Sequence, residues 1–175
     1  EVQYLVVTLK LQNLKSGVLR FRVVPGYIED IRFEKKGTFG NWRSAFPCRP
    51  GDILNIRDIE QGLEQLRQVP NQQAEVKLEP GSKPGQSIII IKIIRTRPWT
   101  AGMDFNDSGL ENTGRLQASG DVALYNLTGA NDILSYDYTK DAEHHDKEHG
   151  TKDTSLSYTL PYGDYTFHAY RYYDE

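Results

Sequence analysis

The sequence predicts an α+β unit followed by an antiparallel all-β segment, and three observations carry that prediction. Between Gly51 and Ile94 the spacing of apolar residues changes from helical to strand-like. Beyond Pro98 the spacing stays at two, with one apolar and one polar residue alternating through five successive runs. Turn chemistry at Pro25-Gly26 and again at Pro98 separates these regions from each other and from the opening residues.

The helix is the most fully specified element. Asn55 is its expected cap, and Asp58 stands at the third helical position, where a carboxylate meets unpaired N–H groups and the positive end of the helix dipole. Leu54 and Ile59 have the spacing of a hydrophobic staple. Ile56, Ile59, Leu63, Leu66 and Val69 then recur on one face, and Pro70 marks the stop. An amphipathic helix of this kind needs a sheet to cover.

Ala74, Val76 and Leu78 alternate with Glu75, Lys77 and Glu79, as in a half-buried strand. Pro80 to Gly85 is dense in turn residues, and the β-branched run Ser87 to Ile94 reads as the central strand. Upstream, Tyr27, Ile28, Ile31 and Phe33 suggest a first strand. Asn41 to Phe46 then has the length of a short helix with Trp42, Ala45 and Phe46 inward, stopped by Pro47. Glu1 to Lys10 and Leu19 to Val23 read as two further extended segments.

The order GDILNIRDIEQGLEQLRQVP, then AEVKLEPGSKPGQSIIII, resembles the second POTRA domain of two-partner secretion transporters. These are outer-membrane proteins that export haemolysins, adhesins and contact-dependent growth inhibition toxins. Leu54, the helix core from Glu60 to Leu66, and the turn carried by Pro80, Gly81, Pro84, Gly85 and Ser87 hold the resemblance. The order strand, short helix, long helix, strand, strand agrees with the βααββ order of POTRA domains. The resemblance divides the chain into residues 1–24, the end of a preceding POTRA domain; 25–96, a POTRA domain; and 97–175, the first strands of a transmembrane β-barrel. It also implies that the chain is a piece of a longer protein.

In the last region, Trp99, Ala101, Met103 and Phe105 alternate with polar or small residues. Leu116 to Leu124, Leu134 to Tyr138, Leu156 to Leu160 and Tyr165 to Ala169 repeat the pattern. The connections at Asn126 to Ala130 and Pro161 to Asp164 are short, whereas Asp141 to Asp153 is long and charged. Periodicity fits an outer-membrane barrel or a soluble sandwich equally, and the POTRA resemblance upstream favours the barrel. Asn106 to Gly109 and Thr113 to Gln117 resemble the opening hairpin of these barrels, although the family's usual Asp-Asn order is reversed at Asn106-Asp107. Five strands cannot close a barrel of about sixteen, so a sheet of this length, without its outer-membrane lipid, is expected to pair with another copy, bind detergent or rearrange.

Composition narrows the function classes. With a net charge of −3 across 175 residues, no basic field invites nucleic acid. The single cysteine, Cys48, cannot form a disulfide within the chain and reads as a small buried hydrophobe. His144, His145, Asp146 and His149 crowd one polar loop without the spacing of a zinc site. Asp104, Asp121 and Asp137 sit on polar strand faces, where a wet lumen accounts for them without chemistry. Nothing requires an enzyme, a metal or a cofactor.

The resemblance therefore implies an outer-membrane transporter whose POTRA part faces the periplasm. It would receive an unfolded exoprotein in extended form and pass it to the pore. An edge strand can do this by β-augmentation, and Ala74, Val76 and Leu78 are the expected receiving residues. Gln61, Gln65 and Gln68, on the polar face of the neighbouring helix, are expected to line the adjacent groove, with solvated helix surface as the alternative for each. The competing functional readings are an assembly factor of the same superfamily and a soluble carbohydrate-binding or carbohydrate-hydrolysing β-sandwich protein.

Overall fold

The protein is seen in a computed structural model that describes residues 5–8, 22–107, 115–142 and 151–174. Leu5–Thr8 (β1) and Arg22–Pro25 (β2) form an antiparallel pair, with Thr8 opposite Arg22. Leu19 and Phe21 lie outside the described residues.

The next five elements are Tyr27–Phe33 (β3), Trp42–Ala45 (α1), Ile56–Arg67 (α2), Gln72–Pro80 (β4) and Gln86–Arg95 (β5). The strands form one sheet in the order β3-β5-β4, with β5 parallel to β3 and antiparallel to β4. The isoleucine-rich strand is central, as its sequence predicts. Ile89 and Ile91 are fully buried under the helices, and Ile90 is buried on the opposite face.

Helix α2 begins as expected: the Asn55 side chain accepts from the Arg57 N–H, and Asn55 Nδ2 donates to Asp58 at 3.3 Å. It ends at Arg67, one turn before Pro70. Leu54, Ile59, Leu66 and Val69 are buried, and Leu63 is half-buried. Trp42, Ala45 and Phe46 all enter the core. The two helices meet at Gly62, where a Cβ would stand 2.3 Å from the Phe46 ring, so only glycine permits that approach.

A second sheet of five strands follows: Trp99–Asn106 (β6), Gln117–Tyr125 (β7), Ile133–Asp141 (β8), Lys152–Tyr162 (β9) and Tyr165–Asp174 (β10). Each pairs antiparallel with the next, in chain order. Strands of 8 to 11 residues match the length that a tilted strand needs to cross a bilayer.

The register puts Met103, Gly120, Tyr138 and Thr154 in one row, with Ala101, Val122, Tyr136 and Leu156 in the next. The opposite face carries Asp104, Asp121, Asp137, Asp153 and Asp174. Gly102 leaves the space that the Asp121 carboxylate occupies, since a Cβ there would lie 2.4 Å from Asp121 Oδ1. Met103 and Phe105 are exposed, and among the described residues no second sheet covers their face. A soluble sandwich would bury that face, so the sheet has the form of the barrel segment and not of the sandwich alternative. The residues of the histidine-rich loop, 143–150, and most of the opening hairpin, 108–114, lie outside the described residues.

Candidate functional site

The outer edge of the three-stranded sheet is strand β4. Two bonds fix the phase of its ladder with β5: the Asn71 carbonyl accepts from Thr96 N–H at 3.1 Å, and Gly81 N–H donates to the Gln86 carbonyl at 2.8 Å. In an antiparallel pair such bonds recur at every second residue. Gln73, Glu75, Lys77 and Glu79 therefore bond to β5, while the backbone groups of Ala74, Val76 and Leu78 point away from it. The N–H and C=O groups of the three residues predicted as a receiving edge are among those that point away from the ladder.

The other edge is treated differently. Along β3, Ile28 donates to the Asp52 carbonyl at 2.9 Å, Gly51 donates to Ile28 at 2.7 Å, and Tyr27 pairs with Ile53. The loop before α2 thus covers the start of that edge. On β4, Arg67 Nε donates to the outward carbonyl of Ala74 at 3.2 Å.

Within the glutamine row, Gln65 is placed away from the β4 edge. Gln65 and Arg67 differ by two residues, about 200° around a helix, so they face opposite sides of α2. Arg67 reaches the β4 edge. Gln65, by contrast, is 3 % exposed and donates from Nε2 to Thr166 Oγ1 on β10 at 3.4 Å. Gln61 is half-buried, and Gln68, the C-cap residue of α2, is exposed. The side of α2 next to the β4 edge carries half-buried Leu63 and Arg67, with Glu64 3.6 Å from the guanidinium. Val76 is half-buried there and Leu78 is 39 % exposed.

On the far face of β4, Glu75 accepts from Lys92 Nζ at 3.0 Å, and Lys77 lies 3.6 Å from Glu34. The hydrogen bond from Lys92 holds the Glu75 carboxyl below its ordinary range and raises the Lys92 ammonium. Burial, reinforced by the nearby Asp58, pushes the Cys48 thiol up to about 11, which fits an inert core residue.

A second constellation joins α1 to the five-stranded sheet, and the sequence reading missed it. Asn41 N–H donates to the Gly129 carbonyl at 2.6 Å, Asn131 Nδ2 to Ser44 Oγ at 3.2 Å, and Gly163 N–H to the Ser44 carbonyl at 2.8 Å. A cleft of about 390 Å³ remains there between Arg43, Arg49, Ala130 and Tyr162.

The turn between β7 and β8 is built for this contact. Asn126 and Asn131 take left-handed backbone conformations, at φ 57° and 62°. Buried Asp132 accepts from Thr128 N–H at 3.0 Å, Thr128 Oγ1 at 2.8 Å and the Tyr158 hydroxyl at 3.3 Å. Arg95, at the end of β5, donates to the Phe39 carbonyl and to Gln72, tying the loop before α1 to the strand that leads into the second sheet.

Both short turns of the five-stranded sheet thus lie at the end that meets the helices. At the other end β6 and β8 finish and β7 and β9 begin, across sequence separations longer than either short turn. This is the polarity of an outer-membrane barrel, with short periplasmic turns and longer outer loops.

Comparison with known proteins agrees with this geometry. The family profile described as haemolysin secretion/activation protein ShlB/FhaC/HecB matches residues 85–175, and a POTRA domain profile matches residues 27–80. The chain belongs to the haemolysin secretion/activation family. Within it, the outer membrane transporter CdiB-2 of Burkholderia pseudomallei is 39% identical over 155 residues, covering 89% of this chain and 26% of the relative. The outer membrane transporter CdiB of Dickeya dadantii is 38% identical over 158 residues, covering 89% and 27%. This haemolysin secretion/activation chain therefore spans about a quarter of the length of these relatives.

Among solved structures, CdiB from Escherichia coli superposes with a TM-score of 0.83 at 27% identity, covering 96% of this chain and 31% of that one. BamA from Haemophilus ducreyi lacking POTRA domains 1–3 matches with a TM-score of 0.55 at 16% identity, a likeness of fold alone.

Proposed function

We propose that this chain is the junction of an outer-membrane transporter of two-partner secretion. Its POTRA unit stands in the periplasm, and its five-stranded sheet is the start of the barrel wall, bearing lipid on the apolar face and water on the face that carries the aspartates. Residues 1–24 would close a preceding POTRA domain, 25–96 form the POTRA unit, and 97–175 begin the barrel. The exported partner, a secreted polypeptide in extended form, adds as a strand to β4.

The observation that carries this reading is the outward row of backbone groups at Ala74, Val76 and Leu78, beside a shallow apolar strip formed by Leu63, Val76 and Leu78. An open edge bonds to any extended chain through its backbone and demands little of its sequence, which suits a carrier of long, varied polypeptides. Relatives named as transporters favour this reading over an assembly factor, whose likeness here is one of fold.

Val76→Pro in the full-length parent tests the proposal. The Val76 N–H points outward, so proline removes a receiving donor and leaves the β4–β5 ladder intact. Export of the partner is expected to fall while the circular dichroism spectrum is retained. Unchanged export with the fold retained would place the receiving surface elsewhere.

A further inference from the structure

The receiving edge is bounded at both ends. At one end, Arg67 Nε donates to the outward carbonyl of Ala74 at 3.2 Å, and the guanidinium is steadied by Glu64 at 3.6 Å, one helical turn back. At the other end stands Pro80, which has no N–H to offer. Between these stops, the outward groups are the N–H and C=O of Val76 and of Leu78. Past Ala74, a strand laid along the edge would meet a carbonyl already engaged and a charged side chain lying across it.

From this geometry we infer that Arg67 is a specificity-determining residue, an end-stop that confines the incoming strand to the Val76–Pro80 part of the edge and so fixes its register. The inference rests on the edge-capture reading above. It gives the partner segment a definite chemistry: an extended stretch of about five residues, set by the strand rise and the distance between the two stops. Its alternate side chains are apolar, because those opposite Val76 and Leu78 share the face that α2 covers, beside half-buried Leu63. The other side chains face Lys77 and Glu79, which are exposed and tolerate polar neighbours. Without the stop, the edge would extend by one more two-residue repeat, to Ala74, and slip by two residues would be open to the bound strand.

The test is a photo-crosslinking scan in the full-length parent during export of its partner. A photoreactive amino acid is placed in turn at Gln73, Glu75, Lys77 and Glu79, all of which are exposed and leave the outward backbone groups untouched. With Arg67 present, crosslinks are expected from Lys77 and Glu79 and only at background from Gln73. Arg67→Ala, and independently Arg67→Met, which keeps the aliphatic stem without the donor, should raise Gln73 to the level of Lys77. Val76→Pro should remove the crosslinks along the whole edge.

If Val76→Pro removes the footprint but neither Arg67 variant extends it, the end-stop is overturned and edge capture stands. If the footprint survives Val76→Pro, edge capture fails and the end-stop falls with it. A wild-type footprint that already includes Gln73 as strongly as Lys77 also overturns the inference.

Discussion

Ile89 and Ile91 on β5 are fully buried, whereas Met103 and Phe105, at the same alternate spacing on β6, are 87% and 76% exposed. Both pairs sit on the apolar face of a sheet. The difference lies in what the rest of the chain supplies. Between its first two strands in the chain, β3 and β4, the three-stranded sheet carries two helices whose own apolar faces complete a core. The five-stranded sheet has no such layer among the described residues, and its aspartates occupy the opposite face. One region is solved by its own sequence, and the other is written for a solvent that is apolar on one side and wet on the other.

Three measurements bear on that comparison. The largest effect is expected inside the first region. Phe46 is fully buried against Gly62 and the α1–α2 contact, so Phe46→Ala should cost about 3–5 kcal/mol in urea midpoints. A loss well under this range would mean that the helices do not close the core as described.

The next effect is expected only in a membrane. Leu156→Arg on the apolar face of the full-length parent should lower folding stability in lipid vesicles by ~2–4 kcal/mol if the residue lies near the midplane. Ser155→Arg, one residue along and on the opposite face, should cost far less. Equal costs would remove the distinction between a lipid face and a wet face.

The smallest effect reports on how the two regions meet. Burial, then Asp164, then Asp52 raise the Asp58 carboxyl above its ordinary value of 3.8. Its folded state then holds a proton that the unfolded state has already released, so stability falls as pH rises from 3.8 through the raised value and levels off above it. Asp58→Asn should flatten the stability profile across that window, and Asp164→Asn should narrow the window. If Asp164→Asn leaves the profile of the parent unaltered, the β9–β10 turn is not held against α2 as described.

These measurements also mark where sequence reading is strong. The caps of α2, its buried face, the central place of β5 and the alternation of all five later strands are local patterns, each complete within a dozen residues. The β4 edge was legible because central and edge strands differ in composition: β5 carries six isoleucines in ten residues, while β4 alternates with charges. The junction was not legible. Ser44 and Asn131 are 87 residues apart and Gln65 and Thr166 are 101 apart, and no periodicity connects them. Gln65 belongs by residue type to a polar helix face, and only the arrival of β10 makes it a buried contact. Asp132, which buries its carboxylate to build a turn, and Arg67, whose place in the last helical turn suits any solvated cation, were hidden for the same reason.

Ser44 gives the junction a mechanical character. Its hydroxyl meets Asn131 and its carbonyl meets Gly163, so one residue of a short helix is pinned to two turns that lie two strands, roughly 10 Å, apart. A body pinned at one point can pivot in any direction, whereas a body pinned at two can turn only about the line that joins them. Under the proposed edge capture, tension applied at β4 by an extended partner would therefore be lost only to turning about that line. It would reach the β7–β8 and β9–β10 turns as torque on the wall of the barrel, with α1 as the short arm of the lever.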